Sequence, residues 1–203
     1  MKKILLMGLT ICFMSACASI PTQPCKEKRV RPYFFERGEE LAAFRVNVKA
    51  RQQAIDGILQ IKKTAAETYE VTLYSVVGAY RILQATLTRA RIDYNFIIPA
   101  ANNVTVRVKT ERFLNLLLFP AQSTGKCKAK SDNVRVSYKH APMRYEYDLE
   151  ESYPEELIGP KSFGRVHLKF DDYQPYEEGQ LPHKLHYKDG KIEADLTLLR
   201  LKQ

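Results

Sequence analysis

The sequence predicts a mainly β protein of the α+β class, in which a long antiparallel sheet carries one apolar helix. Apolar and polar residues alternate with period two in segment after segment from Phe44 to the end of the chain. Short breaks such as "TAAE" and "PAANN" separate these segments, which is typical of consecutive antiparallel strands. One segment, "TERFLNLLLFP" at 110–120, departs from the alternation and has the spacing of a helix with a broad apolar face.

The alternating segments give the strands in chain order. Phe44, Val46 and Val48 begin the pattern, with polar or charged residues between them. We expect about eleven strands, at 44–49, 55–63, 69–75, 81–88, 92–98, 104–109, 134–138, 144–149, 164–173, 181–190 and 191–201.

The remaining segments are expected to be helical or irregular. The helix at 111–119 has Thr110 as its predicted N-cap and Pro120 as its stop. The segment "FFERGEELAAF" at 34–44 predicts a short helix before the sheet. The segments "AQSTGKCKAKSDN" and "ESYPEELIGPKS" predict loops between later strands.

The N-terminus predicts an export signal and a lipid anchor. Basic residues precede an apolar stretch from Ile4 to Met14, which is shorter than the about 20 residues of a membrane span. "MSAC" then resembles the lipobox of bacterial lipoprotein signals, which implies acylation of Cys17. An ordinary cleaved signal with an incidental cysteine is the alternative. The predicted parts are a signal at 1–16, a lipidated tether at 17–35 and a single domain at 36–203.

Two further cysteines predict a disulfide. Cys12 lies in the predicted signal and Cys17 carries the predicted lipid, so Cys25 and Cys127 remain. An exported protein meets an oxidising compartment, where two leftover thiols favour a bridge. Two free thiols are the alternative, and neither cysteine has the spacing of a redox or zinc motif.

The charge balance suggests an acidic partner surface, although a solvated strand face also accounts for most of the basic residues. The chain has 32 basic and 23 acidic residues, a formal net charge of +9. Loss of Lys2 and Lys3 with the signal leaves +7. Anionic phospholipid, lipopolysaccharide and acidic proteins are all eligible partners. Nucleic acid is not expected, because the basic residues alternate along strands and form no stripe.

No motif for catalysis is found, and we predict no enzyme, no metal and no cofactor beyond the covalent lipid. The sequence has no nucleophile elbow, P-loop or dinucleotide fingerprint. His183 and His186 are spaced to lie on opposite faces of a strand. The other histidines and the paired glutamates lack the grouping of ligands or acid–base pairs: His140, His167, 150–151 and 155–156.

One hairpin tip is unusually apolar. "LYSVVGAY" at 73–80 joins two predicted strands, where tips normally contain Asn, Asp, Gly and Ser. We predict that Val76, Val77 and Gly78 form a hook that touches a membrane. The alternative is a tip that folds back against Tyr80 or a neighbouring loop and belongs to the core.

The alternating pattern also resembles the LolA/LolB family of outer-membrane lipoprotein localisation. The resemblance lies in "FRVNVKARQQAIDGILQIKKTAAETYEVTLYSVVGAYRI", "YNFIIPA" and "DDYQPYEEGQLPHKLHYKDGKIEADLTLLRL", and covers most of 40–110 and 163–201. It implies an incomplete β-barrel whose concave apolar face is covered by a helical lid. Ala18, rather than an Asp, follows Cys17, which by this resemblance favours the outer membrane, with the domain facing the periplasm.

The resemblance implies that the interior binds acyl chains, although a filled core fits the same pattern. The candidate interior residues are Leu59, Ile61, Val71, Leu73, Leu83, Ala85, Leu87, Phe96 and Ile98 from the sheet, with Phe113, Leu116 and Leu117 from the lid.

The function implied is that of a monomeric, outer-membrane-anchored receptor for acylated lipoprotein cargo. Its partners would be outer-membrane phospholipid, the cargo and a periplasmic LolA-like carrier. A structural or assembly lipoprotein that grips a partner's strand or helix is the rival function. A carrier of another amphiphile, such as a glycolipid, differs only in cargo.

We predict that Cys17→Ala leaves a folded protein that no longer fractionates with the outer membrane, because the covalent lipid is its anchor. Membrane fractionation of the wild type and the variant after a high-salt wash measures this. Retention of the variant with the membrane would contradict the lipobox.

Overall fold

The described residues form one antiparallel sheet of thirteen strands with one α-helix. The computed structural model describes residues 22–24, 34–35, 38–50, 53–78, 80–119, 123–130, 133–138, 144–148, 153–158, 166–177 and 179–203. The predicted signal and the lipidation site at Cys17 lie outside these residues. The antiparallel sheet is confirmed, with somewhat more strands than the about eleven expected from pattern alone.

The strands follow one another closely along the chain. They are β1 Thr22–Pro24, β2 Leu41–Ala50, β3 Gln53–Ala65, β4 Thr68–Ser75, β5 Arg81–Thr88, β6 Ile92–Ile97, β7 Ser123–Lys130, β8 Asn133–Tyr138, β9 Arg144–Asp148, β10 Pro154–Ile158, β11 Val166–Tyr176, β12 Gly179–Asp189 and β13 Ile192–Lys202. A 3₁₀ turn at Pro99–Ala101 precedes the helix α1, Val104–Leu118.

The sheet is open and most neighbours in space are also neighbours in sequence. Its order is β1-β7-β8-β9-β10-β11-β12-β13-β2-β3-β4-β5-β6. The junction of β13 with β2 brings the end of the chain beside the start of the domain, with Leu196 opposite Val46. A sheet that is apolar on one face needs another layer to cover it, and α1 supplies that layer.

Period-two alternation separates the two faces of the central strands. In β5, Leu83, Ala85 and Leu87 are buried, whereas the intervening residues are only half-buried. The apolar face continues across the sheet, because the strand register places Ala85 opposite Val71 and Val71 opposite Ile61. Full burial of a Leu or Val side chain contributes about 1.5–3 kcal/mol, so this face supplies much of the stability.

The helix begins earlier than the sequence predicts. The strand predicted at 104–109 and the N-cap predicted at Thr110 are wrong, because α1 starts at Val104. Asn103 is the N-cap, and its side-chain oxygen accepts a hydrogen bond from the Val106 amide at 3.0 Å. The alternation "VTVRV" favours a strand by propensity, but the Asn cap starts the helix there.

Three segments predicted as helix or loop contain strands. Leu41–Phe44, part of the predicted short helix, begins β2. The two predicted loops contain β7 and β10. Both strands contain many charged residues, so their alternation lacks the apolar signal that identifies strands in sequence.

We predict a Cys25–Cys127 disulfide in the mature protein. Cys25 lies outside the described residues, but β1 ends one residue before it and pairs with β7, where Gln23 lies opposite Cys127. A bridge closing a loop of about 100 residues could contribute several kcal/mol in the chain-entropy model. Thiol titration of unfolded, non-reduced mature protein should find neither cysteine free, and two titratable thiols would exclude the bridge.

Candidate functional site

The concave face of the sheet is apolar, and α1 lies across it. Cross-strand pairing brings Leu59 opposite Leu73, beside the pair Ile61 and Val71. Leu73 and Phe113 are half-buried and pack against the core, and Ile98 is half-buried. The other predicted interior residues in this layer are buried, namely Leu59, Ile61, Val71, Leu83, Ala85, Leu87, Leu116 and Leu117.

Phe96 is the exception, and its assignment to the interior is wrong. Its side chain is 42% exposed and lies under the Arg81 guanidinium, which is 5.6 Å from the ring centroid. The register between β5 and β6 shifts at this point, because Gln84 lies opposite Phe96 but Ala85 lies opposite Tyr94. This bulge inverts the alternation, so that Ile97 packs against the core.

Aromatic contacts hold α1 against the sheet at two separate places. The Phe113 ring packs on the Tyr187 ring of β12 at a centroid distance of 4.9 Å. At the helix end, Phe119 packs edge-on against Tyr69 of β4 at 5.6 Å. The helix therefore covers the concave face from β12 to β4, and we call it the lid helix.

A buried carboxylate on β12 also fixes the lid helix to the sheet. Asp189 is only 2% exposed and lies at the end of β12. Its Oδ1 is 3.1 Å from Lys109 Nζ and its Oδ2 is 2.8 Å from Arg112 Nη1. Lys109 Nζ also donates to the Asp189 carbonyl oxygen at 2.6 Å. We call these three residues the latch.

Two tyrosines also make hydrogen bonds near the lid helix. The pKa of the Tyr187 phenol is raised above its ordinary value, mainly because the ring is buried and to a smaller extent because the Asp189 carboxylate lies nearby. The protonated Tyr187 hydroxyl therefore donates to Asp189 Oδ2 at 3.3 Å. Burial and then the Glu111 carboxylate raise the pKa of the Tyr94 phenol to about 12. The Tyr94 hydroxyl donates to the Arg107 carbonyl oxygen at 2.9 Å.

The apolar hairpin tip between β4 and β5 projects into solvent. Val76 is 50% exposed and Val77 is 78% exposed. Tyr80, the other residue that the tip could pack against, is itself exposed. Gly78 takes a φ of +85°, which lets the chain turn at this point. We call Val76, Val77 and Gly78 the hook.

Hydrogen bonds at the base of the hook hold its shape. The Ser75 amide donates to the Tyr80 carbonyl at 2.9 Å, and the Ser75 hydroxyl donates to the Val77 carbonyl at 2.7 Å. The Val76 amide reaches back to the Asp56 carbonyl at 3.1 Å. Position 57, directly after Asp56, must be a glycine, because a Cβ there would lie 2.5 Å from the Tyr74 carbonyl oxygen. These bonds hold the base of the hook, while the valine side chains remain in water.

Nothing in the local sequence indicates the latch. "KDGK" at 188–191 predicts a solvent-exposed polar turn, yet the structure buries Asp189. Lys109 and Arg112 are three residues apart and share one face of a helix. The shared face of Lys109 and Arg112 is not visible in the sequence, because the alternation over 104–109 predicts a strand that includes Lys109.

Two of the described histidines make pairwise contacts across strands. His167 Nδ1 lies 2.7 Å from Glu156 Oε1, although Glu156 was predicted to be a solvated loop residue. His186 Nδ1 lies 2.6 Å from Asp195 Oδ1. These pairs join β10 to β11 and β12 to β13. In the described part of the chain, no three potential ligands come together as a metal site.

Among the residues that the structure describes, no helix has the length and apolar character needed to cross a membrane.

Comparison of sequences gives no match to a family model or to a curated protein. Comparison of structures does give matches. The chain is similar to a LolA superfamily protein from Nitrosomonas europaea, with a TM-score of 0.56 and 10% identity over 86% of this chain and 89% of the other. The fold is therefore LolA-like, an incomplete antiparallel barrel with a helical lid.

Two further structures are more distant. A putative outer membrane lipoprotein-sorting protein domain from Vibrio parahaemolyticus has a TM-score of 0.43 and 9% identity, over 81% of this chain and 85% of the other. A DUF1329 family protein from Desulfovibrio piger has a TM-score of 0.46 and 6% identity, over the same shares of the two chains.

We predict that Asp189→Asn lowers the free energy of unfolding by about 2–3 kcal/mol, because it leaves two cations facing a site built for a carboxylate. The Lys109 and Arg112 side chains are 21% and 22% exposed, and solvent therefore reduces the loss expected for a fully buried pair. Chemical denaturation measures the change.

Asp195→Asn is the matched control, since the Asp195 side chain is 55% exposed and pairs with His186 on the opposite face of the sheet. Its expected loss is below about 1 kcal/mol. Equal losses in the two variants would show that the latch adds nothing beyond a surface ion pair.

Proposed function

We propose that this chain, which has the LolA-like fold, is an outer-membrane-anchored lipoprotein that receives acylated lipoprotein cargo and helps to deliver it to the bilayer. The observation that carries the proposal is the apolar concave face closed by a single helix. Its residues are aliphatic and aromatic, which is the chemistry that an acyl chain requires.

Acyl chains would bind between the lid helix and the sheet. Entry then requires the lid to move, because Leu114, Leu116 and Leu117 are buried in the closed state. The latch holds one side of the lid through charged groups, and a polar contact can exchange with water more readily than a packed apolar one. The latch side is therefore the side at which we expect opening.

Transfer needs neither a nucleotide nor a cofactor in this proposal. Cargo passes from a periplasmic LolA-like carrier to this chain and then to phospholipid when each site binds acyl chains more tightly than the one before. The anchor at Cys17 would keep the domain at the outer membrane, facing the periplasm.

The hook supplies the final contact with the bilayer. Full transfer of an exposed Val side chain into an apolar phase contributes about 1.5 kcal/mol or more, so two valines give a weak and reversible contact. Such a contact suits a protein that must release cargo into the bilayer and not stay inserted itself.

Acyl binding is tested by native mass spectrometry and lipid extraction of the purified protein. We expect acyl chains or acylated peptides to copurify. A lipid-free protein whose interior takes up no added fatty acid would overturn the proposal and favour the rival, an assembly lipoprotein that grips a partner protein.

We predict that Val76→Asp with Val77→Asp gives a folded protein that still binds acylated cargo but passes it to liposomes at least about tenfold more slowly. Both side chains are exposed, so stability should change little. Cargo transfer to liposomes and thermal unfolding are the two measurements.

Ala65→Asp with Ala66→Asp is the matched control, because these exposed neighbours lie at the opposite end of the same meander, where β3 meets β4. This control should transfer cargo normally. Unimpaired transfer by a stable hook variant would remove the hook from the proposal, and a loss of several kcal/mol of stability would mean that the valines are packed.

A further inference from the structure

The lid helix carries a second pair of exposed valines. Val104 is 77% exposed and Val108 is 46% exposed. Residues four apart lie on the same helix face, so these two side chains form a short apolar stripe. The leucines near the other end of α1 are buried against the sheet, so the stripe is not part of the packing that holds the lid.

This stripe starts at the same end of the sheet as the hook. The Ile98 amide donates to the Ile82 carbonyl at 3.0 Å, two residues beyond Tyr80 at the base of the hook. The 3₁₀ turn and the Asn103 cap then lead directly into α1. Asp189, which binds the lid helix, lies at this end as well, because Ile192 just after it pairs with Ala50 where β2 ends. We call this the hook end of the sheet.

The charge around the stripe complements an anionic surface. The first turn of α1 contains no acidic residue, and its N-terminus carries the positive end of the helix dipole. Arg107 lies between the two valines in sequence and is exposed. Asn102 Oδ1 accepts a hydrogen bond from Arg107 Nε at 2.9 Å, and the guanidinium lies 5.1 Å from the centre of the Tyr94 ring. The chain as a whole carries a formal charge of +9.

We propose that Val104 and Val108 form a second contact with anionic phospholipid, made by the lid helix itself beside the hook. This inference rests on the proposed delivery of cargo to a bilayer and goes beyond it, because it assigns a membrane contact to the element that closes the interior. Apolar side chains flanked by basic groups on a helix face have the composition of an interfacial contact.

The contact would join membrane binding to lid opening. Lys109 follows Val108 directly, and both Lys109 and Arg112 hold Asp189. Lipid phosphates near the stripe compete with the Asp189 carboxylate for these two cations. The lid would then stay latched while the domain faces the periplasm, and would open at the bilayer, where the acyl chains must leave.

The test uses the absence of tryptophan from the chain, so that each introduced tryptophan is a lone reporter. Val104→Trp, Val77→Trp and Thr197→Trp are purified from the host and reconstituted with vesicles of phosphatidylethanolamine and phosphatidylglycerol. Brominated phospholipid quenches tryptophan that reaches the acyl region. Thr197 is the control, because it is exposed on β13 away from the hook. Val108→Trp replaces Val104→Trp if the latter does not fold.

We expect a blue shift and quenching for the reporters at Val104 and Val77, and neither for the one at Thr197. Quenching at Val77 alone would overturn the lid contact and leave the hook. Quenching at neither valine would overturn both the lid contact and the hook. Equal quenching at Thr197 would indicate unspecific adsorption and overturn the inference. A blue shift at Val104 without quenching would assign the stripe to a second copy of the chain instead.

A second measurement separates apolar contact from charge. Val104→Asp and Thr105→Asp add the same charge at adjacent exposed positions in the first turn, where Asp is compatible with the helix dipole. The Val104 variant should bind the same vesicles up to about tenfold more weakly than the Thr105 variant. Equal binding by the two variants would overturn the inference.

Discussion

A carboxylate that is removed from water must be compensated by cations, and this requirement fixes the lid on the sheet. Burial of an isolated charge costs several kcal/mol, so Asp189 needs Lys109 and Arg112 whenever the lid is closed. Apolar packing of leucines is not directional, whereas the latch specifies which turn of α1 lies over β12. The tilted packing of Phe113 against Tyr187 follows from that placement.

The two ends of the same meander have different chemistry. At the hook end, the β4–β5 tip presents valines, and the Ser75 and Val76 amides at its base are hydrogen-bonded. At the opposite end, the β3–β4 turn presents alanines and the charged Glu67, which Arg89 binds at 2.6 Å. The proposed contact with a bilayer from one direction requires such a difference. The fold provides it by varying turn composition while the strands remain alike.

Much of the sheet was predictable because period-two alternation is a local property. Leu59, Val71 and Leu87 could be placed in the interior because their neighbours are polar. The placement of Phe96 failed because a bulge is a property of two strands and leaves no mark on the alternation of one. The β7 strand was missed for a related reason, since backbone pairing with its neighbours stabilises a strand that has little apolar signal.

The latch depends on long-range placement, and this is why sequence alone did not suggest it. Asp189 and its partners are about eighty residues apart, at separations of 80 and 77. A solvent-exposed polar turn and a turn that buries its carboxylate can have the same local sequence. The exposed valines of the hook were predictable because the tip departs from ordinary turn composition, and those of α1 were not, because "VTVRV" resembles a strand.

The bulge in β6 also affects how copies of this protein behave toward one another. In the described sheet β6 is a terminal strand, so one row of its backbone groups has no strand beside it. A long and regular edge would act as a template for fibril growth. This edge is only six residues long, its register is interrupted near Asn95, and it carries the ion pair of Asp93 with Arg91. The irregularity that turns Phe96 outward therefore also protects an open barrel from polymerising edge to edge.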